Sequence, residues 1–393
     1  MRTKDVKHLT AFLLLCLLSA RALADISALV VIEPSNRKDG MMVSRDALET
    51  RLSKALGQPV TVTTTDDMTD AMRATRSGGY DVFISPAQVA ASALAHGYTL
   101  VGSTDSDEQY LLVGRNRVAS VNALRGSQIY LPQQDSIYTY LARGLLNANG
   151  LSFKDLKNVE YARYPQAGLF ALLLGSSEAT MVRRGEWEGW DKEHSGIAKV
   201  LAVSSAVPGG FSVAMSKKLP AETRSKLARW FETDAPSCGM KPVYAHSDLA
   251  EYTRVAELGT FTPKGLPGAT VVDLNAVKAL VSNGAVLVDT RIEAEYKDKH
   301  IPGAMWLPYG EKSLKDVAFD SHIDTFPGLA RLDREQNIVF QCNGPECWKS
   351  YKASKAAIAA GYKHIYWFRG GMPEWETAGE RTEKSGQNLA LTD

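Results

Sequence analysis

At 393 residues the chain is longer than one hydrophobic core sustains, so two or three compact units are expected. Its 45 basic and 44 acidic residues nearly cancel, which excludes a charge-driven nucleic-acid or anionic-membrane partner. Apolar content is ordinary, with no internal repeat and no low-complexity tract.

The N-terminus reads as a targeting segment. Arg2, Lys4 and Lys7 precede the apolar run Leu9–Leu18, and Ala22-Leu23-Ala24 offers a small-x-small cleavage site. Residues 1–24 are therefore expected to be a signal peptide. The run is well short of the ~20 residues that span a bilayer, which disfavours an uncleaved anchor. Cys16 lacks a small residue just before it, which disfavours a lipoprotein. In a bacterium the mature chain would be periplasmic. Export leaves Cys238, Cys342 and Cys347, and an odd number leaves at least one thiol without an intramolecular partner. The scattered histidines and the absence of a second cysteine pair predict no metal site, and no cofactor is expected.

From Asp25 the pattern alternates strands and helices. Ile26–Ile32 is a continuous apolar run suited to a strand buried on both faces. Ser44–Leu56 is helical and stops at Gly57, Pro59–Thr63 is a strand, and Thr69–Ser77 a helix closed by Gly78-Gly79. Tyr80–Ile84 and Pro86–Ala95 repeat the alternation. A second unit is expected to start near Val121, with strands at Gln128–Leu131, Val159–Arg163 and Ala179–Val182 and helices at Ile137–Ala148 and Gln166–Leu174. Pro208–Ala214 reads as a return strand, followed by helices at Ala221–Phe231 and Ser247–Leu258. This order predicts an α/β protein with mainly parallel sheets.

Three stretches, YDVFISPAQVAASALAHGYTLVGS (Tyr80–Ser103), YLLVGRNRVASVNALRGSQIYLPQQDS (Tyr110–Ser136) and LGTFTPKGLPGA (Leu258–Ala269), carry a resemblance to the phosphate/phosphonate branch of two-lobed periplasmic solute-binding proteins. The resemblance implies a two-lobed fold over residues 25–262, with the chain end packing back on the first lobe and a ligand held between the lobes. Strand ends and helix starts at such a place single out Ser85, Gln88, Ser136, Tyr138 and Thr139 as ligand-binding candidates. A serine at a helix start is also an ordinary N-cap. The family's Ser-x-Ser-Gly helix start is replaced by Asp135-Ser136-Ile137-Tyr138-Thr139, and a carboxylate there disfavours a phosphate dianion. Arg183-Arg184 could supply a counter-charge.

Thr262-Pro263-Lys264-Gly265-Leu266-Pro267-Gly268 reads as a Pro-stiffened linker, assigned to residues 263–270. A third unit, residues 271–393, opens with a helix at Leu274–Ser282 and a strand at Val286–Asp289. Asn337–Gly361, NIVFQCNGPECWKSYKASKAAIAAG, is its most informative segment: an apolar run ends in Cys342, a Gly/Pro loop follows, and an Ala-rich helical pattern begins. A cysteine among converging N–H groups at a helix start is placed to hold a thiolate or persulfide. The other reading is a buried, inert cysteine.

Asp289-Thr290-Arg291, His300-Ile301-Pro302-Gly303-Ala304, and Gly370-Gly371 with Trp375 flank that segment in the order of the rhodanese family, which this last third of the chain resembles. The resemblance makes Cys342 the sulfur-carrying nucleophile and Asp289 and Arg291 the pair that orients the loop. It makes Asn343, Gly344, Pro345, Glu346, Trp348 and Ser350 the substrate loop. The usual Arg five residues after the cysteine is replaced by Cys347, and Lys349-Ser350 come late, so a Lys point charge stands where a guanidinium is common. Lys349 is expected to lower the thiol pKa, and Cys347 to resolve the persulfide.

Three functions follow. The first is a periplasmic sulfurtransferase of the thiosulfate sulfurtransferase type, coupled to a solute-binding unit. The second is a non-enzymatic solute-binding protein, for an oxyanion or small polar ligand, with a rhodanese-like docking module. The third is a Cys342–Cys347 dithiol redox protein. Implied partners are a sulfur donor, a thiophilic acceptor, a small polar or anionic solute, and a transporter or periplasmic redox partner, with no nucleic acid. Retention of the loop cysteine favours the first.

Overall fold

The computed structural model describes residues 25–33, 44–242 and 249–385. The expected signal peptide lies outside the described residues. Three five-stranded sheets organise the chain.

The first lobe contains β1 (Ile26–Val31), α1 (Arg45–Leu56), β2 (Val60–Thr65), α2 (Met68–Ser77), β3 (Val82–Ser85), α3 (Ala87–Ala95) and β4 (Tyr98–Glu108). Local chemistry sets these boundaries. Ser44 caps α1 by accepting from the Ala47 N–H, and Asp67 caps α2 by accepting from the Asp70 N–H. Every residue of β3 is buried, and Ala28, Val30 and Val31 of β1 are fully enclosed, as the unbroken apolar run requires. Each such side chain contributes about 1.5–3 kcal/mol relative to exposure.

The second lobe holds β5 (Tyr110–Arg115), β6 (Gln128–Pro132), α4 (Ile137–Ala148), β7 (Asn158–Ala162), α5 (Pro165–Leu174), β8 (Ala179–Arg183), α6 (Arg184–Glu193) and β9 (Ala198–Val203). It therefore begins at Tyr110, not near Val121. The chain crosses between lobes at Gln109, at the end of the polar run Ser103–Gln109, which carries no strand signal of its own. It then returns through β10 (Val207–Ser216), α7 (Ala221–Thr233) and α8 (Leu249–Glu257) to the first lobe. There the Tyr252 hydroxyl of α8 lies 2.7 Å from the Ser212 hydroxyl of β10.

The sheets of both lobes are mixed. The first runs β2-β1-β3-β10-β4, with β10 antiparallel to β3 and β4. The second runs β7-β6-β8-β5-β9, with β5 antiparallel to β8 and β9. The antiparallel members are the strands beside the crossings, where the chain changes lobes rather than looping through a helix.

The third unit has β11 (Thr270–Val272), α9 (Leu274–Ser282), β12 (Val286–Asp289), α10 (Glu293–Asp298), β13 (Met305–Trp306), β14 (Asn337–Gln341), α11 (Lys349–Ala359), β15 (His364–Phe368) and α12 (Gly371–Thr377). Its sheet, β11-β15-β14-β12-β13, is parallel throughout. The segment before it is held, not free. Thr262 donates its N–H and hydroxyl to the Pro345 carbonyl at 2.8 Å, Arg369 donates to the carbonyls of Thr262 and Pro263, and Leu266 packs with Trp348, Tyr351 and Trp367.

Candidate functional site

Cys342 directly follows the buried strand β14, which lies between β12 and β15. A central parallel strand places its C-terminal loop where helix N-termini converge. The Cys342 thiol sits 3.0 Å from the Ser350 hydroxyl, in the first turn of α11, and donates to the Cys347 carbonyl at 3.2 Å. Ser350 is itself fixed by the Trp367 indole N–H at 3.0 Å. The loop is closed from the far side by Gly371, whose φ is +54°. A Cβ there would meet the Cys342 carbonyl at 2.0 Å, so only glycine allows the approach that lets the Met372 N–H bond that carbonyl.

Asp289 and Arg291 meet as the resemblance implied. The guanidinium grips the carboxylate through Nε and Nη2 at 3.0 and 2.7 Å, with both side chains fully buried. Arg291 also reaches the Asn343 side-chain oxygen at 3.4 Å, while Asn343 donates to Glu295 at 2.7 Å. The pair is thus linked to the loop through Asn343.

Both loop cysteines are free thiols, and Cys342 and Cys347 are only 1% and 7% exposed. They titrate as a coupled pair. Burial and the neighbouring Cys347 push Cys342 well above the usual thiol range. Burial pushes Cys347 up as well, but the hydrogen bond from Cys342 and the Arg76 charge outweigh it and bring Cys347 to about 7. These surroundings therefore disfavour ionisation of Cys342 and favour that of Cys347.

Lys349 lies elsewhere than expected: its ammonium donates to the Tyr309 carbonyl at 2.8 Å. A cation reaches the loop from outside it: Arg76, from α2 of the first lobe, pairs its guanidinium with Glu346, the residue before Cys347, at 3.1 Å. Trp348 donates to the Thr260 carbonyl at 2.9 Å, and Lys315 pairs with Asp135 at 2.5 Å. The cysteine loop thus faces the two-lobed unit, and these contacts cover it.

Between the lobes, a residue that sequence reasoning passed over is central. Glu33, just beyond β1 and 2% exposed, accepts from the Ile137 N–H at the start of α4 and from the Gln88 amide, both at 3.0 Å. Burial raises its pKa to about 7, against the opposing hydrogen bonds from Ile137 and Gln88. Its signal in the sequence is a carboxylate just past the C-terminal end of a mostly buried strand. Asp135, whose charge the sequence set against a dianion, is paired with Lys315.

The ligand-binding candidates divide. The Gln88 carbonyl oxygen and the Ser85 hydroxyl are buried without a hydrogen-bond partner among the described residues. Ser136 caps α4 by accepting from the Thr139 N–H, Thr139 donates its hydroxyl to the Pro132 carbonyl at 2.9 Å, and the Tyr138 hydroxyl donates to Glu186 at 3.1 Å. Arg183 pairs with Glu108 and Glu186, each at 3.5 Å, and Arg184 donates to Gln109. Direct bonds across the cleft, from the Met68 N–H to Gln133 at 3.0 Å and from Thr69 to Asp135 at 3.2 Å, hold the lobes closed.

This architecture is that of a two-lobed α/β unit followed by an α/β domain with a parallel sheet, and the comparisons with known proteins agree. The family model described as ABC transporter, phosphonate, periplasmic substrate-binding protein matches residues 30–257, and that of the rhodanese-like domain matches residues 273–378. The chain belongs to the phosphonate-type periplasmic substrate-binding family, with a rhodanese-like domain at its C-terminal end. PhnD1 of Prochlorococcus marinus (MIT 9301), solved with methylphosphonate, is 12% identical with a TM-score of 0.46, covering 60% of this chain and 97% of that one. The thiosulfate:glutathione sulfurtransferase of Saccharomyces cerevisiae is 26% identical over 111 residues, which are 27% of this chain and 76% of that protein. The mitochondrial protein HIGH ARSENIC CONTENT 1 of Arabidopsis thaliana is 23% identical over 130 residues, which are 33% of this chain and 75% of that protein.

Proposed function

We propose that the chain is a periplasmic sulfurtransferase that carries sulfane sulfur as a persulfide on Cys342, coupled to a cleft for a small polar or anionic solute. The observation that supports it most is the Cys342–Cys347 pair: two free thiols in one loop, the Cys342 thiol bonded to the Cys347 carbonyl and to Ser350 at the start of α11, with Cys347 the more readily ionised. In the first half-reaction the Cys347 thiolate acts as the base that takes the Cys342 proton. The Cys342 sulfur attacks the outer sulfur of thiosulfate, the donor's S–S bond breaks, and sulfite leaves with the electron pair. A thiophilic acceptor, such as a thiolate or cyanide, then attacks the outer persulfide sulfur and releases the Cys342 thiolate. Loop N–H groups and the α11 N-terminus stabilise the charge on sulfur throughout. Asp289 and Arg291 position the loop, and Lys349 anchors the start of α11 to the Tyr309 carbonyl. The relative named a thiosulfate:glutathione sulfurtransferase supports thiosulfate as the first donor to try.

The test is thiosulfate-to-cyanide transfer by the parent chain and by Cys342→Ser and Cys347→Ser. Cys342→Ser is expected to abolish transfer, because one sulfur atom carries the chemistry. Cys347→Ser is expected to slow the first half-reaction by about 10²–10⁴-fold through loss of a general base. Full turnover by Cys342→Ser would refute the assignment. A second reading, a solute-binding protein with a docking module, draws on the near-complete burial of both cysteines. It predicts no transfer from any donor by the parent chain.

A further inference from the structure

The cysteine loop lacks a guanidinium of its own, yet one is supplied to it from outside. Arg76 stands in the last turn of α2, in the first lobe, 270 residues before Glu346. Its side chain is 5% exposed, its Nη1 lies 3.1 Å from the Glu346 carboxylate, and Cys347 is the next residue. The Arg76 Nε–H is buried and has no hydrogen-bond partner among the described residues. A guanidinium enclosed this far is unfavourable unless its charge and donors are used. One carboxylate satisfies part of the fork, and the orphaned N–H remains for another acceptor.

We propose that Arg76 is a positioning residue for the loop thiols: the first lobe lends the rhodanese-like loop the guanidinium that its own sequence lacks, and this charge holds the anion of the Cys342–Cys347 pair. This rests on the reading of the loop as a sulfur carrier. The charge balance around the pair is consistent with it. Burial raises Cys347, and Glu311 raises it further. Arg76, the Cys342 hydrogen bond and the Asn343 backbone lower it. On the Cys342 side, Arg291 is the facing cation and Ser350 donates through backbone and side chain. Asp135 and Glu346 attract Arg76 from the other direction. Asp135 is already neutralised by Lys315, so Glu346 is the competitor for the guanidinium. A consequence is that the loop has its full reactivity only while docked on the first lobe.

The experiment uses the full chain and measures the rate of alkylation by iodoacetamide against pH, resolved to each loop cysteine by peptide mass spectrometry. Arg76→Ala is expected to raise the Cys347 midpoint by about one pH unit, an effect typical of losing one close opposite charge. Below the midpoint the rate then falls about tenfold. Arg76→Lys is expected to recover much of the shift. Glu346→Gln removes the competitor while keeping its size, and is expected to move the midpoint down. A merely structural Arg76 would behave otherwise. Its loss would expose the loop, raise the rate at every pH and leave the midpoint in place, and Glu346→Gln would not move it; either result overturns the proposal. Thiosulfate transfer is measured in parallel. Midpoints that move as expected in a chain that transfers no sulfur would uphold the role of Arg76 and refute only the sulfurtransferase reading.

Discussion

Replacing Glu33 by glutamine tests the electrostatics of the cleft. The carboxylate is 2% exposed and accepts two hydrogen bonds, and burial still raises its pKa from 4.5 to about 7. The sign follows from proton counting. Between these values the folded chain holds a proton that the unfolded chain has lost. Glu33 therefore adds stability that is fully present below pH 4.5 and is lost as pH rises through about 7. From pH 5 to pH 8 the parent loses about 2.5 kcal/mol through this group. The Glu33→Gln side chain does not titrate, so the variant escapes that loss. It retains a carbonyl oxygen for the Ile137 N–H and the Gln88 amide. The gap in stability, variant minus parent, should thus grow by about 2.5 kcal/mol between pH 5 and pH 8. For a unit of this size that is a relative gain of about 5–10 °C in melting temperature. Thermal unfolding of both proteins at the two pH values, in one buffer system at fixed ionic strength, measures it. Other titrating groups cancel in the difference. A gap that does not change with pH would show that Glu33 ionises normally, and would remove it as the group controlling charge in the cleft.

Other predictions concern the loop and its docking. Gly371→Ala places a Cβ 2.0 Å from the Cys342 carbonyl at a φ of +54°; a loss of about 1–3 kcal/mol and of sulfur transfer is expected, checked by denaturation and thiosulfate turnover. Lys349→Ala should slow anionic and neutral donors equally and independently of salt, because its ammonium bonds the Tyr309 carbonyl; a loss confined to anionic donors and relieved by salt would restore a steering role. Asp135→Asn leaves Lys315 buried without its counter-ion, a change worth about 3–5 kcal/mol for an enclosed pair; both loop cysteines should alkylate faster, and unchanged rates would mean that the contact does not hold the docked arrangement. Limited proteolysis should spare residues 262–268, since Thr262 and Leu266 are buried against the third unit; rapid cleavage there would contradict that packing.

Local signals were legible and long-range ones were not. The bounds of α4, α9 and β12 follow from the sequence because an N-cap and an apolar period state them within one turn: Ser136 and Asp273 each accept from the N–H three residues on. The helix α6, RGEWEGWDKE, escaped because two glycines and four acidic residues hide a face that Trp187 and Trp190 pack. The strands β5 and β9 escaped because each adjoins a lobe crossing in polar text, Ser103–Gln109 before β5 and Ser204-Ser205 after β9, with no helix between to mark the strand. At the site, Cys342, Cys347, Asp289, Arg291 and Asn343 lie together, since all stand at or just beyond the C-terminal ends of the neighbouring parallel strands β12 and β14. Arg76 gave no sign. In sequence it is an ordinary basic residue in the last turn of a helix, and only the docking of two units turns it toward Glu346.

The central claim is a persulfide on Cys342, and mass spectrometry of the full chain after brief incubation with thiosulfate tests it most directly. The account predicts a mass gain of one sulfur atom, mapped to the peptide containing Cys342, removed by cyanide and absent in Cys342→Ser. A chain that gains no sulfur, or gains it only on Cys347 or Cys238, would contradict the account.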